Sequence, residues 1–274
     1  MTARHTRVLT ALDALGDGDH VGWVVERPTQ FTEMAALCLQ QGADLGDMQF
    51  LFAPQHGGWP QQLPVGKGVP VVDPHVAFLH GGHLDPEAMY AAFRRHAALA
   101  AEQGYRGLRV VADMDWLLGP RPAGGQIAAF EQGLDAVAVE TGATIVCAYR
   151  RESFTGRELA GVMCVHPHEL GASRSLGFRI WSSGSGRWHL SGQVDLRAAE
   201  VFPTALRAAA DGRAALWLDC THLAFIDMAG MRAIAQVAHG TGASVYLEGA
   251  NETLRRCWKL MDWETGLPNV EFCA

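Results

Sequence analysis

The chain has 274 residues, 49% of them apolar and 19% charged, with a net charge of -7. This length accommodates one large or two modest domains, and the composition supplies buried cores and excludes a disordered chain. Neither half carries the clustered Lys and Arg that phosphate neutralisation requires, which excludes direct nucleic-acid binding; lysine occurs only at Lys67 and Lys259.

Residues 1–19 read as a polar lead-in. His20 opens an apolar strand, 20–25, and residues 29–46 carry apolar positions at helical spacing. A strand over 48–53 follows, then a Gly-, Pro- and Gln-rich loop over 54–68. Short strands are expected at 69–72 and 76–79, and a long amphipathic helix over 85–104. A strand over 107–114, a helix over 127–140, a strand over 143–150 and a short helix over 157–164 complete this part. Strands alternating with helices predict a mainly parallel sheet covered on both faces.

Ser182 to Gly186 reads Ser-Ser-Gly-Ser-Gly and marks the best boundary, with a hairpin or a linker both open, giving expected domains 1–183 and 187–274. The pattern then restarts with strands at 188–196, 216–220, 244–248 and 270–273 and helices at 198–210, 229–239 and 251–261. That is a small α/β domain able to fold alone.

The six cysteines form no CxxC pair, and most sit in apolar runs. Reduced, buried thiols point to a reducing compartment. No secretory apolar segment follows Met1 and no apolar run approaches the ~20 residues of a membrane span. The expectation is a cytoplasmic chain that makes no membrane contact.

Three segments of the last 88 residues resemble the STAS domain of anti-sigma-factor antagonists. They are Leu190-Ser191-Gly192-Gln193-Val194-Asp195, the run from Leu216 to Met231 containing Phe225-Ile226-Asp227-Met228-Ala229-Gly230, and Val245-Tyr246-Leu247 before an apolar helix. The resemblance implies a partner-docking face at Asp195, Asp227, Met228, Ala229 and Gly230. It also implies a regulatory partner, such as an anti-sigma factor or a serine kinase that phosphorylates the residue after the aspartate. Here that residue is Met228, followed by Ala229, so the phosphorylation switch is missing.

The segments Gly18-Asp19-His20-Val21, 104–118, Phe130-Glu131, Cys147-Ala148-Tyr149-Arg150 and His166-Pro167 resemble the MEDS sensory domain of bacterial and archaeal regulators. This resemblance implies a RecA-like α/β fold and a small apolar ligand. The candidate ligand-binding residues are His20, Trp23, Arg109, Asp113, Trp116, Tyr149 and His166. For His20, a structural histidine and a ligand contact stay equally open; Trp116 also fits a plain core role. A RecA-like fold raises ATP, but Glu26-Arg27-Pro28-Thr29-Gln30 follows the first strand with no Gly-rich loop and no lysine. Gly66-Lys67-Gly68 precedes no helix start. ATP hydrolysis is not expected, and Asp113 and Asp115 read as capping or ligand-orienting residues. His80 with His83, and His166 with His168, offer incomplete ligand sets, so neither a metal nor a cofactor is expected.

The sequence thus reads as a non-catalytic bacterial sensor-regulator. The alternatives are an accessory protein or enzyme of a biosynthetic pathway using the N-terminal crevice, and a scaffold. Self-assembly stays open.

Overall fold

The computed structural model describes residues 6–12, 15–54, 69–80, 83–119, 122, 124–171, 176–182 and 186–273. The first part of the chain runs β1 (Arg7–Leu9), β2 (His20–Val25), α1 (Pro28–Leu45), β3 (Met48–Phe52), β4 (Val71–Val72) and α2 (Pro74–Phe78). A two-stranded pair, β5 (Leu79–His80) and β6 (His83–Leu84), leads to α3 (Pro86–Glu102), β7 (Leu108–Asp113) and a 3-10 turn at Met114–Leu118. Then come α4 (Gly124–Thr141), β8 (Thr144–Arg150), α5 (Gly156–Met163) and β9 (His168–Leu170).

Among the described residues, seven strands form one all-parallel sheet in the order β1-β9-β2-β8-β7-β3-β4. Its central strands are buried along their whole length on both faces, as an all-parallel sheet requires. On one face, α1 contributes Phe31, Ala35, Cys38 and Leu39 to a core with Val21, Trp23, Val25 and Val146. On the other, α3, α4 and α5 pack Phe93, Phe130, Leu134 and Val162 against Val24, Ile145, Cys147 and Tyr149. The fold is the expected α/β class, with helices on both faces.

Local chemistry sets the helix starts. Asp85 accepts a hydrogen bond from the Ala88 N–H and Pro86 takes the first helical position. Thr155 and Glu158 form a reciprocal capping box on α5. The same chemistry corrects the strand expected at 76–79. Asp73 caps and Pro74 starts a short helix there, overriding the β-prone Val76-Ala77-Phe78. The loop expected over 54–68 lies, apart from Pro54, outside the described residues.

The second part comprises β10 (Phe178–Ser182), β11 (Arg187–Val194), a 3-10 turn at Leu196–Ala198, α6 (Phe202–Ala210), β12 (Ala215–Asp219) and β13 (Leu223–Ile226). It ends with α7 (Met228–Thr241), β14 (Ser244–Glu248), α8 (Glu252–Leu260), α9 (Trp263–Gly266) and β15 (Val270–Phe272). Its mixed sheet runs β10-β11-β12-β14-β15, with β13 pairing β11. Alternate burial along β12 and β14 puts Leu216, Leu218, Val245 and Leu247 under α6, α7 and α8. The opposite face carries the stacked rings of Trp217 and Tyr246 at 4.1 Å. The 198–210 helix expected from sequence is split, because Asp195 caps a separate 3-10 turn and Pro203 starts α6 proper.

β10 pairs antiparallel with β11, Ser182 opposite Trp188. The Ser-Gly segment therefore joins two strands of the second sheet, and the change of sheet falls between Leu170 and Phe178. The two parts share a core. Ala128, Cys164 and Val165 pack with Phe178, Phe202 and Ala205, and the Gln132 amide donates to the Ala205 carbonyl at 3.2 Å.

Candidate functional site

Strand alternation sends His20, Gly22 and Val24 to the α4–α5 face of the sheet and Val21, Trp23 and Val25 to the α1 face. In the neighbouring strand, Gly22 lies opposite Cys147, so Cys147 and Tyr149 share the His20 face. Above them, α4 directs Glu131 and, one turn on, Asp135 inward; both are fully buried. The chain leaving α5 brings His166 down onto Gly22. A Cβ at Gly22 would stand 2.9 Å from the His166 ring, so only glycine admits that ring.

The result is a polar cluster inside an apolar layer. Glu131 Oε2 lies 3.2 Å from His20 Nε2 and 3.3 Å from His166 Nε2. His20 Nε2 is 3.5 Å from Cys147 Sγ. The Tyr149 hydroxyl donates to Glu131 Oε1 in a short hydrogen bond. His166 Nδ1 lies 2.7 Å from the Val162 carbonyl, so that nitrogen carries a proton, and Nε2 faces Glu131. His20 Nδ1 faces Asp135 Oδ1 at 3.7 Å, too far for a direct hydrogen bond, so Asp135 acts on the ring mainly as charge.

Electrostatics follow from this packing. Burial opposes charge on His20, yet Asp135 and Glu131 outweigh it and hold the imidazole pKa above its ordinary value. Burial likewise opposes ionisation of Glu131, but His166 and His20 overcome it and hold the carboxyl well below the usual range. His166 is pushed down by burial and by the His20 charge. Burial and the Glu131 charge push the Cys147 thiol and the Tyr149 phenol well up. The four side chains His20, Glu131, Cys147 and His166 could hold a metal, since their ligand atoms all lie within 4.8 Å of one another.

Of the seven ligand-binding candidates, the fold gathers His20, Tyr149 and His166 here. Trp23 lies on the other face, stacked on Phe31 at 5.6 Å. Arg109 is on that face too, its Nε donating to Asp47 Oδ2 at 3.0 Å. Asp113 caps the 3-10 turn by accepting the Asp115 N–H, and burial with the Asp115 charge pushes its pKa up to about 7. Trp116 packs edge-on against Phe130 and is fully buried. The 3-10 turn follows directly on the end of β7, with Met114, Asp115, Trp116 and Leu117 buried. A cleft of about 540 Å³ lies between α3, α4 and the second part, lined among others by Glu87, Gln132, Trp188 and Arg213. His80 and His83 are paired across β5 and β6, and the described residues hold no ligand cluster around His83.

The sequence alone does not join Glu131 and Cys147 to one site: Cys147 reads there as a buried, reduced thiol and Glu131 as part of the MEDS resemblance. A signal existed: Glu131 and Asp135 stand four apart, on one face of a helix whose neighbouring positions Phe130, Leu134 and Ala138 are apolar.

A family model described as MEDS, the methanogen/methylotroph DcmR sensory domain, matches residues 19–167, more than half of the chain. The chain belongs to the MEDS family. A second model, described as Mlab, STAS domain, matches residues 181–269. No curated protein matches the chain. The MEDS match ends one residue beyond His166, so the whole polar cluster lies within it. The STAS match opens in β10, consistent with that strand's place in the second sheet. The MEDS–STAS pairing supports a regulatory or sensory role. No described helix is long and apolar enough to cross a membrane.

On the STAS module, Asp227 accepts the Gly230 N–H at 2.8 Å and so caps α7. A Cβ at Gly230 would lie 2.7 Å from Ile226 and 2.8 Å from Val194, so the helix start sits directly on the sheet. Asp195 caps the 3-10 turn and pairs with Arg197. Val194 pairs with Ile226, which brings Leu196 and Met228 to the same end of the module. Leu196, Phe225 and Met228 are exposed there, at 81%, 48% and 38%.

Proposed function

We propose that this chain is a non-catalytic sensor-regulator. Its STAS module docks on a regulatory protein of the anti-sigma-factor or serine-kinase class through the face around Met228. Its MEDS domain sets that docking in response to a small apolar ligand. The observation that carries the reading is the exposed apolar face at the capped start of α7, where the phosphorylatable position of the STAS resemblance holds Met228. Without a hydroxyl there, docking is not switched by adding about two negative charges to the helix N-terminus. Control then falls to the MEDS domain, which packs on the STAS helix α6 through α4. The cleft beside α4 has the volume of a small-molecule site.

The test is affinity purification of the full chain from its own cells, beside Met228→Glu. The expected result is an ATP-binding serine kinase or anti-sigma factor recovered with the wild type and lost with the variant, at unchanged thermal stability. A partner set identical for both chains, or recovery only of pathway enzymes, overturns the docking assignment.

A further inference from the structure

We propose that His20, Glu131, Cys147 and His166 form an internal binding site for one divalent transition metal, with zinc the best match. The site goes beyond the docking and sensing reading and does not depend on it.

Three observations carry it. The first is spacing. In a tetrahedral zinc site with bonds of about 2.0–2.1 Å to N, about 2.0–2.2 Å to O and about 2.3 Å to S, ligand atoms stand about 3.3–3.4 Å apart for N and O and about 3.5–3.6 Å apart for N and S. The cluster has N···O separations of 3.2 and 3.3 Å and an N···S separation of 3.5 Å. All four ligand atoms lie within 4.8 Å of one another. The second is orientation. His166 Nε2 and Glu131 Oε2 are fully buried and make no hydrogen bond of good geometry, although Glu131 Oε2 lies within ion-pair distance of both His20 and His166. Buried polar atoms are normally satisfied, and a shared cation satisfies both of these at once. The third is the set of groups behind the ligands. The Val162 carbonyl takes the His166 Nδ1 proton, the Tyr149 hydroxyl holds the second oxygen of Glu131, and Asp135 faces the far nitrogen of His20. Carbonyl and carboxylate partners behind ligating histidines, and hydrogen bonds to ligating carboxylates, are the usual supports of a metal site.

Metal binding would release the Cys147 thiol proton and the extra proton of His20 to solvent. The resulting set of two imidazoles, one thiolate and one carboxylate suits zinc and its tetrahedral substitute cobalt(II), and disfavours magnesium and calcium, which take oxygen ligands. Four protein ligands with complete burial describe a closed, structural site with no position for substrate. The ligands come from β2, α4, β8 and the segment after α5, so the ion clamps the helical layer to the sheet. It also reaches the STAS module. The Arg179 guanidinium on β10 donates to the carbonyls of Met163 and His166 at 3.3 Å and pairs with Glu169.

Because the site is closed, it loads as the chain folds. The experiment expresses the full chain in medium supplemented with Zn2+ or with Co2+, dialyses it, and measures bound metal by mass spectrometry and the cobalt absorption spectrum. Expected are one equivalent of metal, tetrahedral cobalt bands, and a thiolate-to-cobalt band in the near ultraviolet. Cys147→Ser should lose that thiolate band, and Glu131→Gln should lower metal content several-fold. His168→Gln, whose ring pairs with Asp19 outside the cluster, should leave both unchanged. Wild-type protein that is folded but carries less than about a tenth of an equivalent overturns the proposal. So does bound cobalt without a thiolate band. The wild-type spectrum decides the matter even where a ligand variant fails to fold.

Discussion

The fate of Arg109 gives a quantitative test of the fold. Its guanidinium is 1% exposed and Asp47 is 2% exposed, and the two meet at 3.0 Å under α1. Arg106 also pairs with Asp47, at 2.8 Å, but is 39% exposed. Removing one partner of a buried pair typically costs about 3–5 kcal/mol, because the remaining charge is left in a poor solvent. Arg109→Met keeps the length of the side chain and leaves Asp47 with Arg106 alone, so the loss should fall at the low end, about 3 kcal/mol. Asp47→Asn strips the fully buried guanidinium of the carboxylate it faces and should cost about 4 kcal/mol. The double variant removes the mismatch and should cost clearly less than the sum, a coupling of about 2 kcal/mol. Equilibrium urea unfolding of the four proteins measures all three numbers. An Arg109→Met chain that unfolds at the wild-type midpoint would refute this structural assignment.

Asp113 predicts a pH dependence. Its folded pKa, near 7, lies above the ordinary value of 3.8, so the folded state keeps a proton that the unfolded chain releases. Stability from this group is greatest below pH 4 and declines as pH rises toward 7, by at most about 4 kcal/mol. Asp113→Asn keeps the oxygen that accepts the Asp115 N–H and should flatten the slope in urea midpoints taken from pH 4 to 8. Gly22→Ala, with a methyl 2.9 Å from His166 and Met163, should destabilise by about 1–3 kcal/mol and displace the ring, read by calorimetry. Asp227→Ala removes the cap of α7 and should cost about 1 kcal/mol in thermal unfolding.

The sequence carried most of the element order, because long periodic segments such as α3 and α4 and the unbroken apolar runs of β2, β7 and β8 state their period directly. It lost the short pieces. β1, β9 and β13 are three or four residues long and exist through their neighbours, β9 by lying between β1 and β2, so no local pattern marks them. The Ser-Gly run, which reads alike as a linker and as the connection of a hairpin, lies between two strands of the second sheet. For the site, His20, Tyr149 and His166 were legible from the family resemblance. Their convergence on Glu131 and Cys147 was not, because it depends on the register that sets Gly22 opposite Cys147 and on the rotation of α4.

That rotation has a further consequence. The inward stripe of α4 carries Glu131 and Asp135, while Ala128 and Gln132 pack against the STAS module. A helix is stiff along its axis, so a change of charge or ligation at Glu131 that shifts α4 must also shift its contact with Ala205 on α6. The second connection, Arg179 to the His166 carbonyl, starts from the same cluster and ends on the edge strand of the STAS sheet. Energetic coupling between the two connections is measurable as a double-mutant cycle between Gln132→Ala and Arg179→Met. Additivity within about 0.3 kcal/mol would mean that the two connections work separately.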